Sequence, residues 1–105
     1  MVRYTLPATG KIIATEADIL DVIGETYGTG ADEIVIPVAR LSSDFYQLST
    51  GLAGAILQKV TNYGFRVAIV GDISAELKRS TPLRDFVRES NKRGQTRFVA
   101  SESEL

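Results

Sequence analysis

Two short runs of β-branched residues, separated by a segment with helical periodicity, constrain the fold of this chain more than any other feature. The first run, residues 34–38, is nearly continuous in isoleucine and valine, and the second, residues 67–70, has the same character. Uninterrupted apolar runs of this length are typical of strands buried on both faces of a parallel sheet. Between them lies an apolar stripe with helical spacing, formed by Leu52, Ala53, Ile56, Leu57 and Val60. Strand, helix and strand in this order predict a parallel α/β unit.

Pro37 stands near the end of the first run and limits how that strand can pair. Proline has no N–H to donate to a β-ladder, so it is confined to edge strands, strand ends and bulges. We therefore expect this strand to lie at an edge of the sheet, or to end or bulge near Pro37.

The flanking segments continue the alternation of strands and helices. At the N-terminus, VRYTLP and GKIIA flank a turn at residues 7–10 and predict a β-hairpin. Thr15, followed by acidic residues, predicts the cap of a first helix. Pro82 suits the first position of a third helix, with Ser80 or Thr81 as its cap.

The complete order is strand, strand, helix, strand, helix, strand, helix, strand, with the last strand at residues 96–100 and an acidic tail at residues 101–105. A length of 105 residues fits one domain. The sequence therefore predicts a single α/β domain over residues 1–105. We expect a mostly parallel, mixed sheet of four or five strands, an N-terminal hairpin and three main helices.

Two residue types are absent, which excludes several classes of function. The chain contains no cysteine and no histidine, so disulfides, thiolate metal sites and both Ser-His-Asp and Cys-His catalysis are excluded. We expect no metal, no cofactor and no enzymatic activity. The apolar runs are too short to span a membrane, and the N-terminus lacks the apolar core of a secretory signal. These features predict a cytoplasmic protein that does not bind membranes.

Charge is unevenly distributed along the chain, although the net charge is only −1. Residues 15–44 carry seven acidic residues and one basic residue, whereas residues 74–97 carry seven basic and three acidic residues. The simplest interpretation is two solvated helix faces of opposite sign. The alternative is a dipolar surface that forms a homodimer or meets a charged partner. Arg84, Arg88 and Lys92 form a basic stripe on the third helix, and acidic residues neighbour this stripe. This predicts a salt-bridged face and no binding of nucleic acid.

The stretch LSTGLAGAILQK, residues 48–59, contains a pair of hydroxyl side chains directly before the second helix. Ser49 or Thr50 can cap the free amides of the first helical turn, which alone explains a hydroxyl at this place. The functional interpretation is that Ser49 or Thr50 accepts a regulatory phosphate, which the helix amides and dipole would favour.

A second candidate group lies where the strands end. Asp72 directly follows Gly71 at the end of the second buried strand, and it is either a turn residue or a ligand-binding carboxylate. Ligands of open α/β sheets bind beyond the carboxyl ends of parallel strands. We expect Asp44, Ser49 and Asp72 to gather at that edge, with Tyr46 on the same surface.

Two longer strings, DFYQLSTGLAGAILQKVTNYGFRVAIVGDIS and LRDFVRESNKRGQTRFV, resemble an uncharacterised bacterial family, domain of unknown function 4180. The resemblance runs from roughly the first strand to the end of the chain. It implies membership of that family but no activity, because the family has none assigned.

A more distant resemblance is to the STAS domain, the fold of sulfate transporters and anti-sigma-factor antagonists. The string LSTGLAGAILQKVTNYGFRVAIVG follows the same order of hydroxyl step, helix and strand ending in Val-Gly. The resemblance implies a STAS-like fold in which Ser49 or Thr50 occupies the place of the serine that partner kinases phosphorylate. The chain departs from the pattern at Leu48, where the family has an acid, and in lacking a helix after the last strand.

Together these observations predict a non-enzymatic regulatory or protein-binding module, switched by phosphorylation at Ser49 or Thr50. Its docking surface would include Ser43, Asp44, Tyr46, Ser49 and Thr50 and would meet an unidentified protein partner. The alternative is a small-molecule or anion-binding domain, or a carboxylate-dependent enzyme that uses Asp44 and Asp72. A third hypothesis is a structural homodimer without a ligand, formed through the hairpin edge and the dipolar surface.

Overall fold

Strands and helices alternate along the chain in this computed structural model, which describes residues 2–105. Within that range the strands are β1 (Arg3–Thr5), β2 (Glu33–Pro37), β3 (Arg66–Val70) and β4 (Thr96–Val99). The α-helices are α1 (Glu16–Thr26), α2 (Leu52–Asn62), α3 (Ser74–Arg79) and α4 (Thr81–Arg93). Further 3-10 turns lie at Val38–Arg40, Ser43–Tyr46, Leu48–Thr50 and Glu102–Glu104. No helix in the described range has both the length and the apolar character of a membrane span.

The strands form one sheet in the order β1-β2-β3-β4, and every neighbouring pair is parallel. This confirms the predicted α/β fold with a four-stranded sheet, but the expectation of a mixed sheet is wrong, because all three strand pairs of the described residues are parallel. The helices α1, α2 and α4 are the three main helices, and α3 is a short additional one. Thr15 caps α1 in a capping box with Asp18, and Ser80 caps α4 by accepting a hydrogen bond from the amide of Leu83 at 3.2 Å. Both helix starts therefore agree with the prediction.

The predicted N-terminal hairpin is wrong. β1 pairs in parallel with β2, and in the described chain the segment after the turn contributes only an isolated parallel bridge between Ile13 and Leu41. The buried side chain of Arg40 explains this path, because its guanidinium donates hydrogen bonds to the carbonyls of Lys11 at 2.8 Å and Pro7 at 3.1 Å. Held by Arg40, this segment does not fold back along β1. The hairpin edge through which a homodimer was expected to form is therefore absent from the described residues.

Pro37 is the last residue of β2, which lies between β1 and β3 in the interior of the sheet. The expectation that the strand ends near Pro37 is confirmed, and the alternative of an edge strand is wrong. The missing N–H is tolerated because it falls where the ladder stops and the 3-10 turn at Val38 begins.

All four helices pack on one face of the sheet. Their apolar side chains share a single core with the strand residues that point to that face, which include Ile34, Ile36, Val67 and Ile69. Sequential parallel strands joined by right-handed connections place their helices on the same side, so the topology explains this single helical layer.

The opposite face of the sheet carries charged residues at the start of each strand. Side chains alternate along a strand, so the register places Arg3, Glu33, Arg66 and Arg97 on this face, which we call the arginine face. Although no helix of residues 2–105 contributes to the core from this side, Val35 and Ala68 are completely buried. The expected burial of β2 on both faces is therefore confirmed, since Ile34, Val35 and Ile36 are all 0% exposed.

Candidate functional site

A groove lies at the carboxyl edge of the sheet. β2 and β3 run in parallel and end side by side at Pro37 and Val70, so the segments that follow them meet there. The groove between these segments has a volume of about 780 Å³, which is within the ordinary range of small-ligand sites. We call it the edge groove. Its lining includes apolar residues (Val38, Leu41, Leu48 and Pro82) and polar residues (Ser43, Tyr46, Ser49, Asp72, Glu76 and Arg79).

The edge groove brings together three of the five side chains singled out from the sequence. Tyr46, Ser49 and Asp72 line it, although they come from two different crossovers of the sheet. Asp44 and Thr50 belong to the same loop but lie outside the lining. The expected gathering at the carboxyl edge therefore involves Ser49 and Asp72, whereas the carboxylates of Asp44 and Asp72 do not share the groove.

The two neighbouring hydroxyls have different surroundings. The hydroxyl of Thr50 lies 2.9 Å from the carbonyl oxygen of Asp44 and 2.8 Å from that of Gln47, both of which can accept its proton. It also accepts a hydrogen bond from the amide of Leu52, the first residue of α2, at 3.2 Å. Of the two hydroxyls, Thr50 is therefore the one that binds a free amide at the start of α2. Ser49 is exposed and lines the groove.

The cap of α2 is a glycine rather than a hydroxyl residue. Gly51 has a φ of 77°, in the left-handed region where a side chain is strained. This conformation turns the chain from the 3-10 turn at Leu48–Thr50 into α2, so Ser49 lies one turn before the helix instead of at its cap.

Asp72 combines a turn function with a place in the groove. Its carboxylate accepts a hydrogen bond from the amide of Ser74 at 2.9 Å, which confirms the turn interpretation. This bond, assisted by the Ser74 hydroxyl, lowers the pKa of Asp72 below 3.8. The side chain is exposed, so the groove contains an ionised carboxylate at neutral pH.

Tyr46 contributes a phenol that stays protonated. Its ring is half-buried and packs edge-to-face against Phe45, with ring centroids 5.5 Å apart. Burial, together with the nearby negative charge of Glu76, raises the pKa of Tyr46 to about 12. The phenol can therefore both donate and accept a hydrogen bond across the physiological pH range.

Sequence reasoning missed Glu76 and Arg79 as groove residues. Both lie on α3, and their spacing of three residues places them on the same side of that helix. A six-residue helix is too short for a clear apolar period, so no helical pattern predicts these two residues. Their position shortly after Asp72, at a strand end, is the one feature that could have indicated them. With these residues the groove contains two carboxylates, one guanidinium, a phenol and several hydroxyls beside apolar surface. Such a lining suits binding of a polar ligand or a peptide segment.

Comparison with known proteins gives a family match. The family model described as "Domain of unknown function (DUF4180)" matches residues 3–105. No curated protein and no solved structure matches the chain. The STAS-like relationship therefore stays a prediction. Since the family model spans nearly the whole sequence, the chain belongs to the DUF4180 family of domains of unknown function.

Proposed function

We propose that this chain is a non-enzymatic regulatory module of the cytoplasm that binds a partner protein in the edge groove, and that phosphorylation of Ser49 switches this binding. The observation that carries the proposal is the convergence of Tyr46, Ser49 and Asp72 on one groove. The resemblance of LSTGLAGAILQK to the hydroxyl step of STAS domains supports the same role for this stretch.

Ser49 is a better candidate for the phosphorylated residue than Thr50. A kinase must reach the hydroxyl and remove its proton, and the Thr50 hydroxyl is within hydrogen-bonding distance of two backbone carbonyls. Ser49 is exposed on the groove. Modification of Ser49 therefore leaves the loop and the start of α2 intact while it changes the binding surface directly.

The charge of the groove indicates the chemistry of the partner segment. Asp72 and Glu76 provide two negative charges and Arg79 one positive charge. A phosphate on Ser49 would add about −1.5 to −2 charges at neutral pH. We therefore propose a partner segment that carries a lysine or arginine, held more tightly when Ser49 is phosphorylated.

Site-specific crosslinking in the cell tests this proposal. A photo-reactive phenylalanine analogue at Ser49 should capture a partner, whereas the same analogue at Ser103, an exposed serine of the tail, should not. The captured protein is then purified, and its affinity is measured for wild type, Ser49→Ala and Ser49→Asp. Capture at Ser49 alone, with tighter binding by Ser49→Asp, supports the proposal. Equal capture at both positions, or equal affinity of the three proteins, contradicts it.

Small-molecule binding is the second candidate function, and the volume of the edge groove favours it. A thermal-shift screen with a defined panel of amino acids, amines, nucleosides and organic acids tests this candidate. A compound of this class should raise the melting temperature of wild type but not of Asp72→Asn. The variant keeps an acceptor for the Ser74 amide, so its turn is preserved. A panel without a single Asp72-dependent shift counts against this function.

A further inference from the structure

A second, smaller pocket lies on the other side of α3 from the edge groove. It occupies the space between α3, α4 and the ends of β3 and β4, with a volume of about 320 Å³. Its surface is mainly apolar and is formed by Ile69, Leu77, Val87, Phe98 and Val99. We call it the α3 pocket. An apolar cavity of about 150 Å³ is enough to hold benzene, so the α3 pocket accommodates a ring with a short side chain.

The α3 pocket has a single ionisable side chain among the described residues that line it, which is Asp72. The other polar side chain of substantial size, that of Asn91, is already engaged. Its amide oxygen accepts from the backbone amide of Phe98 at 2.7 Å, and its amide nitrogen donates to the carbonyl of Phe98 at 3.3 Å. The polar selectivity of the α3 pocket therefore rests on one negative charge.

The wall between the two cavities is a marginal element. α3 has only six residues, none of which is buried, and its cap residue Ile73 makes no side-chain capping bond. Helices of this length are not stable by themselves. α3 is attached through the Asp72 carboxylate at its first residue and through Arg84, which donates to the carbonyl of Leu77 at 3.1 Å. α3 therefore depends on these contacts and on the packing of Leu77 against the core, not on its own helical stability.

We propose that the α3 pocket binds a small amine, whose apolar body lies against Ile69, Leu77 and Phe98 and whose cationic head pairs with Asp72. The amine is favoured over a carboxylate because the carboxylate of Asp72 repels an anion and attracts a cation. Lys78 is close enough to act on Asp72 but does not line the pocket. The apolar surface of the α3 pocket is separate from that of the edge groove and lies on the opposite side of α3, but Asp72 lines both cavities.

Three probes with the same ring and different head groups test the inference. They are 2-phenylethylamine, 2-phenylethanol and phenylacetate, each titrated at millimolar concentration into protein with labelled isoleucine, leucine and valine methyl groups. The amine should shift the methyl resonances of Ile69, Leu77 and Val87 and should bind most tightly of the three. Phenylacetate should bind most weakly. The Asp72→Asn variant should weaken the amine by about threefold to fivefold, the size expected for an exposed ion pair, and leave 2-phenylethanol unchanged.

Asp44→Asn is the matched control, because Asp44 is an exposed carboxylate of the same edge that lines neither cavity. It should bind the amine as wild type does. Equal affinity for the three probes, or an equal effect of the two aspartate substitutions, would overturn the inference. Methyl shifts confined to Leu41 and Leu48 would also overturn it, because those residues line the edge groove instead. None of these outcomes bears on crosslinking at Ser49, so the two proposals fail separately.

Discussion

Arg97 in β4 reaches across β3 to the carboxylate of Glu33 in β2, with its Nη2 atom 3.1 Å and 3.2 Å from the two carboxylate oxygens. The residue opposite Arg97 on the intervening strand is Ala68, whose small side chain leaves room for the guanidinium to pass. Arg3 binds the same carboxylate from β1, through its Nε atom at 2.8 Å. One buried acid, Glu33, thus links β1, β2 and β4 on the arginine face, and its contact with Arg97 spans β3.

Substitution of Glu33 should destabilise the domain strongly. Its side chain is 0% exposed, whereas those of Arg3 and Arg97 are 36% and 26% exposed. Glu33→Gln keeps the shape but leaves two partly buried guanidinium groups without a counter-charge. We expect a loss of about 2–3 kcal/mol in the free energy of unfolding, somewhat below the value for a fully buried pair. Urea unfolding measures it, with the exposed Glu102→Gln as control. Equal stability of the two variants would show that the arginine face is not held by Glu33.

Gly71 allows the end of β3 to lie directly against the 3-10 turn that follows β2. Its φ is 146°, and a Cβ at this position would overlap the side chain of Val38. Gly71→Ala should therefore lower the free energy of unfolding by about 1–3 kcal/mol through overpacking and backbone strain. Gly24→Ala, on the exposed side of α1 with open space around it, should be neutral or stabilising.

The double variant Gly71→Ala/Val38→Ala separates the two causes of that loss. Removal of the valine methyl groups relieves the overlap but not the strained backbone, so it should recover part of the stability lost in Gly71→Ala. A double variant whose loss equals the sum of the two single losses would refute the contact between these residues.

The hydroxyls of Thr50 and Ser49 should differ in their effect on stability. Thr50→Val removes the hydrogen bonds of the hydroxyl to the loop carbonyls and to the amide of Leu52. We expect a loss of about 0.5–1.5 kcal/mol, the usual net contribution of such bonds. Ser49→Ala should change the free energy of unfolding by less than about 0.5 kcal/mol, as at other exposed positions. Chemical denaturation of both variants measures the difference, and a larger loss in Ser49→Ala would reverse the roles assigned to the pair.

Asp18 should make stability depend on pH in the acidic range. Its hydrogen bond from Lys11, then the bond from the Ala14 amide, lowers the pKa of Asp18 from 3.8 to about 2. A pKa that is lower in the folded state means that the ionised carboxylate stabilises the fold above pH 3.8, and that this contribution is lost as the pH falls toward 2. The stability difference between wild type and Asp18→Asn should therefore shrink between these two values.

Carboxyl-carbon NMR gives a direct check of the same group. The Asp18 resonance should titrate near pH 2 in wild type, and at higher pH in Lys11→Met, which removes the largest cause of the shift. Titration of Asp18 at the same pH in both proteins would show that the Lys11 contact, seen at 2.9 Å, is not maintained in solution.

Short sequence patterns predict some residues of the edge groove but not all of them. The sequence singles out Asp72 because a strand run ends at Gly71, and Ser49 because a hydroxyl pair precedes a helix. Both signals arise within a few residues along the chain. Glu76 and Arg79 have only a weaker local signal, their position directly after a strand end, and the packing of α3 beside the loop at Ser43–Tyr46 makes them part of the same groove.

The sequence alone predicts the helix starts, the apolar stripes and the parallel α/β order. These features are predictable because helix caps and periodic burial depend on neighbours within one or two helical turns. The path of the N-terminal segment was not, since it depends on Arg40, which binds the carbonyl of Lys11 from 29 positions away. The ion pairs on the second sheet face could not be predicted either, because Glu33 and Arg97 are 64 positions apart. Contacts at such separations have no local signature, and only the folded chain decides which charged side chains meet.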